Sequence, residues 1–152
     1  MTFKEYEAHA ASTACYAKEV AISYVVMRLT NELAEVFEKV DNAAEAKEIL
    51  KEVGDVLWYV AMTRQELDLP ALEFPEELHR LDDTDVYRLS PSYLPQQVGI
   101  INGQVKKYFR DDDYSKPFPE KEKNFVMLHW NKFLWDCRIL LLTSRGRNRT
   151  SL

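Results

Sequence analysis

The sequence predicts an all-α fold, a helical bundle of about five helices. Three observations carry this. Long stretches repeat apolar residues at helical spacing, only 4 of 152 residues are glycine, and no stretch alternates β-branched with polar residues. The length suits one domain over residues 1–152 with a substantial core.

A first helix is expected from about Thr2 to Cys15, with Phe3, Tyr6 and Ala10 on one face. A second covers about Ala17 to Val40, where Val25, Leu29, Leu33, Val36 and Val40 form a stripe. Asp41-Asn42 ends it, and a third helix spans about Ala43 to Leu67 through Ile49, Val53, Val56 and Val60. Leu69-Pro70 closes the third helix, because proline cannot continue the hydrogen-bond ladder. Residues 70–95 read as connection with a short helix at Glu76–Leu81. A fourth helix is expected from about Leu94 to Phe109, a loop from Arg110 to Pro119, and a fifth helix from about Glu120 to Leu142. The polar, basic tail from Ser144 onward reads as mobile.

Composition narrows the function classes. A net charge of -5 argues against a nucleic-acid partner, which needs a basic face to neutralise phosphates. Cys15 and Cys137 have neither disulfide nor zinc spacing. The polar start Met1-Thr-Phe-Lys-Glu-Tyr and the lack of a long apolar run predict a soluble cytoplasmic protein without a membrane partner.

The informative feature is Glu32-Leu-Ala-Glu35 on the second helix and Glu52-Val-Gly-Asp55 on the third. Residues at i and i+3 are neighbours on a helix, so each pair can converge on one cation. At about 100° per residue, both pairs fall on the same flank of their apolar stripes. Antiparallel packing through those stripes brings the flanks together along one groove. Hard cations such as Mg2+ or Mn2+ suit such an all-oxygen donor set, and the absence of histidine argues against zinc or di-iron. The competing reading is a solvated acidic face, as expected at Glu38.

Asn31-Glu-Leu-Ala-Glu-Val-Phe-Glu-Lys-Val40 followed by Leu50-Lys-Glu-Val-Gly-Asp-Val-Leu-Trp-Tyr-Val60 resembles the MazG-like nucleotide pyrophosphohydrolases. Their signature is Glu-x-x-Glu, a spacer, then Glu-x-x-Asp, and the specific part here is Gly54-Asp-Val-Leu-Trp-Tyr59. The resemblance covers about Thr2 to Leu72, so residues 1–72 form the motif-bearing half and 93–143 a second helical half. It implies a hydrolase taking a nucleoside triphosphate and water to the monophosphate and pyrophosphate, with Mg2+ as cofactor and Mn2+ able to substitute. Glu32, Glu35, Glu52 and Asp55 would be the metal ligands, with Glu35 or Glu52 accepting the water's proton. The small phage members that it resembles adjust the deoxynucleotide pool, and a purine substrate such as dGTP or GTP is expected. Pyrimidine deoxynucleotides and phosphoribosyl-ATP are the alternatives. A homodimer or homotetramer is also implied.

The sequence departs from the family in the basic stretch that follows the first motif, which is only Lys39. Phosphate contacts then fall to Arg28, Lys39, Lys51 or Arg64, to Lys106, Lys107, Arg110 and Lys132 of the second half, or to another subunit. Trp58 and Tyr59 are candidates to stack on a base. The second half can be laid over the first as a degenerate repeat, which puts Ile101, Gln104, His129 and Lys132 at the four acidic positions. An ordinary helical hairpin is the alternative. Two rivals to the enzyme reading are a non-catalytic helical binding or assembly protein and a γ-phosphate-releasing NTPase. The second lacks its Gly-x-x-x-x-Gly-Lys loop.

Overall fold

The computed structural model describes residues 3–70 and 93–147. The expected helix at Glu76–Leu81 lies outside them. Five α-helices form among the described residues, with no strand: α1 (Phe3–Ser12), α2 (Ala21–Asp41), α3 (Ala46–Glu66), α4 (Tyr93–Asp111) and α5 (Glu120–Arg147). A short 3-10 turn, Lys18–Val20, leads into α2.

The helix ends differ from the expected ones for local reasons. The first helix stops at Ser12, short of Cys15. There the Ser12 hydroxyl donates to the His9 carbonyl at 2.6 Å and the Thr13 hydroxyl to the Ala10 carbonyl at 2.8 Å. These bonds take up terminal carbonyls that a longer helix would use. Ala17 is extended, so the next turn is 3-10 and α2 begins only at Ala21. The third helix starts at Ala46 because Ala43 is left-handed, with φ of 51°. Ala44 N–H reaches back to the Lys39 carbonyl at 2.9 Å, closing α2 with the wrap usually given to glycine.

The same device ends α3. Asp68 has φ of 50°, and Leu69 N–H bonds the Arg64 carbonyl at 2.9 Å. Pro70 therefore follows a helix already terminated by Asp68. At the other end of the chain α5 continues to Arg147, so Ser144 to Arg147 are helical rather than a tail.

The core forms where the apolar stripes meet. Val25, Leu29, Leu33 and Val36 of α2 are buried with Ile49, Val53, Val56 and Val60 of α3. From the second half come Leu94, Val98, Ile101 and Val105 of α4, with Val126, Trp130 and Phe133 of α5. Pairing runs α2 with α3, α4 with α5, α2 with α4, α3 with α5, and α1 against α3. Two hairpins thus stack into a four-helix bundle with α1 strapped across α3. In the repeat register Val25, Leu29 and Val36 correspond to Leu94, Val98 and Val105. Ile49, Val53 and Val56 correspond to Val126, Trp130 and Phe133, and all twelve are buried.

Polar links tie the ends. Arg64 is ion-paired to the buried Glu7 of α1 and also donates to the Leu69 carbonyl at 2.8 Å. The Tyr16 hydroxyl donates to Glu66 at 2.7 Å. Lys123, buried near the start of α5, reaches Asp68 at 2.9 Å and Glu120 at 3.7 Å. Its hydrogen bond holds the Asp68 carboxyl below, and the Lys123 ammonium above, their ordinary values.

Two outcomes follow. A left-handed alanine is strained by about 1 kcal/mol, so Ala43→Gly should raise unfolding stability by up to about 1 kcal/mol in urea melts. The Asp68 contribution is present above its unfolded value and lost as pH falls through its depressed folded value. The Lys123 contribution is lost only as pH rises through its raised value. Melting curves of Asp68→Asn across acid pH should therefore show a flatter decline than wild type, and an unchanged slope would rule the link out as a source of acid sensitivity.

Candidate metal and nucleotide site

The groove on the α2–α3 face follows from the antiparallel pairing. Arg28 meets Tyr59, and one turn further along α2 Glu32 meets Glu52 and Asp55, so contacts run in opposite order along the two helices. Arg28, Glu32 and Glu35 of α2 face Lys51, Glu52, Asp55, Trp58 and Tyr59 of α3, and the turn after α1 closes one end with Thr13 and Cys15. The volume, about 470 Å³, lies in the range of small-molecule sites.

Three carboxylates converge there. Ligand oxygens of Glu32, Glu52 and Asp55 all lie within 4.8 Å of one another. Glu32 and Glu52 are buried, at 3% and 7% exposure, which a solvated acidic face would not produce. Glu38, by contrast, is exposed. Burial pushes the Glu32 carboxyl above its ordinary range, opposed by Arg28 and reinforced by Glu35, Asp55 and Glu52. Removing carboxylates from water beside one another is unfavourable unless a cation compensates. A hard divalent cation, with its oxygens at about 2.0–2.6 Å, spans donors up to about 4–5 Å apart. The three residues could hold such an ion.

Glu35 lines the same groove but stands outside this triplet, with its Oε1 accepting from the Asn31 amide at 2.7 Å. Arg28 is ion-paired to Glu32 and donates to the Tyr59 hydroxyl at 3.1 Å. Lys51 lies 3.8 Å from Glu52. The aromatic side is built from Trp58 and Tyr59, which meet edge-on at 4.8 Å, with the Tyr24 ring 6.4 Å from that of Tyr59. The Trp58 indole N–H is fixed by the Thr13 hydroxyl at 3.1 Å. Burial, then Asp55, raises the Tyr6 phenol of α1 above its ordinary value.

Residues 22–70 match the family model of the MazG nucleotide pyrophosphohydrolase domain. The matched segment is less than half of the chain. It contains Arg28, Glu32, Glu35, Glu52, Asp55, Trp58 and Tyr59, and it ends before α4. No curated protein and no solved structure matches the chain. No helix among the described residues is long and apolar enough to cross a membrane.

The other cations expected at the groove are placed elsewhere. Arg64 is engaged by Glu7 and the Leu69 carbonyl and is not among the groove-lining residues. Lys39 is not among the groove-lining residues, because α2 carries it beyond the acids. Lys106 lines a separate groove between α2 and α4 with Met27, Asn102 and Phe109, and Lys107 is exposed on α4. Neither is brought to the carboxylates. At the repeat-equivalent positions Ile101 is buried in the core and His129 bonds Gln97 at 2.8 Å. Burial, then Lys132, lowers the His129 value, which favours the neutral imidazole. Thr13 and Cys15 could not be found from the acidic motif, since only the fold lays their turn over α3.

Asp55→Asn should retain the helical circular dichroism of the parent and melt no lower, because it relieves repulsion on Glu32. Its melting temperature should be indifferent to added Mg2+, whereas that of the parent should rise; equal gains for both would remove Asp55 from the ligand set.

Proposed function

We propose that this MazG-type protein is a metal-dependent nucleoside triphosphate pyrophosphohydrolase, taking (d)NTP and water to (d)NMP and pyrophosphate. The observation that carries this reading is the convergence of buried Glu32 and Glu52 with half-buried Asp55 on a nucleotide-sized groove within the matched segment. Mg2+ is the proposed cofactor, held by Glu32, Glu52 and Asp55 with Glu35 adjacent, and Mn2+ should substitute. Such an ion supplies charge neutralisation for the triphosphate and lowers the pKa of a coordinated water.

The chain's own residues divide the remaining work. Glu35 lies on the groove outside the triplet, which leaves its carboxylate available to take the proton from water attacking the α-phosphorus. Glu52 is the alternative base. Arg28 and Lys51 flank the acids and suit the phosphate oxygens. Trp58 and Tyr59 form a wall against which a base can lie, and their area favours a purine such as that of dGTP or GTP. The pyrophosphate leaves as the α–β bond breaks. Exposed Met27, Phe109, Phe125 and Leu128 support assembly as a homodimer or homotetramer.

A non-catalytic binding role is the second reading, favoured by the Arg28–Glu32 pair, which already neutralises part of the acidic charge. One assay separates the two. The protein is incubated with a panel of NTPs and dNTPs in Mg2+, Mn2+ or EDTA, and products are resolved by chromatography. Monophosphate and pyrophosphate that disappear with EDTA are expected, fastest for a purine, and Glu35→Gln should lower kcat by about 10²–10⁴-fold. No turnover by a folded, metal-loaded protein would sink the enzyme reading, and release of orthophosphate would indicate the wrong bond.

A further inference from the structure

Arg28 occupies the place where compensating positive charge is needed. Its Nη2 donates to Glu32 Oε1 from one turn earlier on α2, and its Nε donates to the Tyr59 hydroxyl across the helix interface. The Arg28 side chain is 40% exposed, whereas that of Glu32 is 4% exposed. A partly solvated arm therefore reaches inward to a buried carboxylate whose oxygen belongs to the only three-member acidic cluster found among the described residues. Its remaining anchors are weak and uncharged: the Tyr59 hydroxyl and that ring's face, 5.3 Å away. Lys51, the other groove cation, is 75% exposed and stays 3.8 Å from Glu52. The two bases thus differ, since Arg28 hydrogen-bonds its carboxylate directly whereas Lys51 makes a longer ion pair from a mostly exposed side chain.

We propose that Arg28 is a placeholder for the metal, neutralising Glu32 in the metal-free protein and yielding it to a divalent cation, after which its guanidinium takes a phosphate oxygen of the substrate. This rests on the metal-dependent reading above. A divalent ion on Glu32 and a guanidinium hydrogen-bonded to the same buried carboxylate repel each other at close range, where little water screens them. The released arm stays over the groove because α2 fixes its Cα one turn from Glu32. A triphosphate then offers it a better acceptor than Tyr59, in the forked geometry that guanidinium and phosphate share. Metal loading and substrate binding become coupled through one side chain. The metal-free groove is thereby protected from the repulsion that would follow if Glu32, Glu52 and Asp55 faced one another uncompensated.

The test compares the parent with Arg28→Gln and Arg28→Ala, using Mn2+ alone and then inorganic tripolyphosphate, by titration calorimetry and thermal melting. Without metal, both variants should melt below the parent, and saturating Mn2+ should close most of that gap. Mn2+ should bind the variants about tenfold more tightly, and tripolyphosphate should bind the Mn2+-loaded variants about tenfold more weakly, each a shift of one decade in Kd. These opposite signs distinguish a placeholder from a neighbouring charge. Unchanged or weaker Mn2+ binding would overturn the proposal, as would tighter Mn2+ with unaltered tripolyphosphate affinity. If a variant fails to fold, Tyr59→Phe loosens the same arm and should tighten Mn2+ by a smaller factor; no tightening there would also count against it. A parent protein that binds no Mn2+ would instead remove the metal-dependent reading itself.

Discussion

The convergence of carboxylates on a helix–helix interface is the constraint on which this molecule turns. Buried acids repel one another and lose hydration, so their placement opposes folding and must be offset by packing elsewhere. The offset is visible in the α2–α3 seam. Val25, Leu29, Leu33 and Val36 interlock with Ile49, Val53, Val56 and Val60, all nearly or fully buried. The acids lie one flank away from that seam, close enough to be held rigidly and far enough to open onto a groove.

The second hairpin supplies the other part of the support. It buries corresponding positions in α4 and α5 but places Ile101 and His129 where the first hairpin has Glu32 and Glu52. The acidic triplet thus belongs to the first hairpin, and the matching place in the second holds the apolar Ile101. A bundle with acids at both places would face the same repulsion twice. The α1 strap completes the arrangement, since the buried Glu7–Arg64 pair and the Tyr16–Glu66 bond hold the Thr13–Cys15 turn at the mouth of the groove.

Much of this was legible in the residues. Helical periodicity located all five helices, and the phase of the two acid pairs relative to their stripes implied a shared groove. Helix ends were less legible, because Ser12, Thr13, Ala43 and Asp68 act through local hydrogen bonds and left-handed turns rather than through periodicity. An alanine at a position usually held by glycine gives no signal in the sequence. The extent of α5 was missed for a related reason, since polar residues at its end carry little periodic pattern but still continue the helical ladder.

The sequence by itself determined the fold class, the MazG resemblance and the residue types able to hold a cation, because these depend on spacing within single helices. Only the tertiary structure decided which charges share a volume. It joined Glu32 with Glu52 and Asp55, and it set Arg28 of α2 against Tyr59 of α3. It also turned Arg64 toward Glu7 and carried Lys106 to another face. The physical reason is that a long basic side chain finds its partner across an interface. Which interface that is depends on how whole helices pack, which no local spacing records.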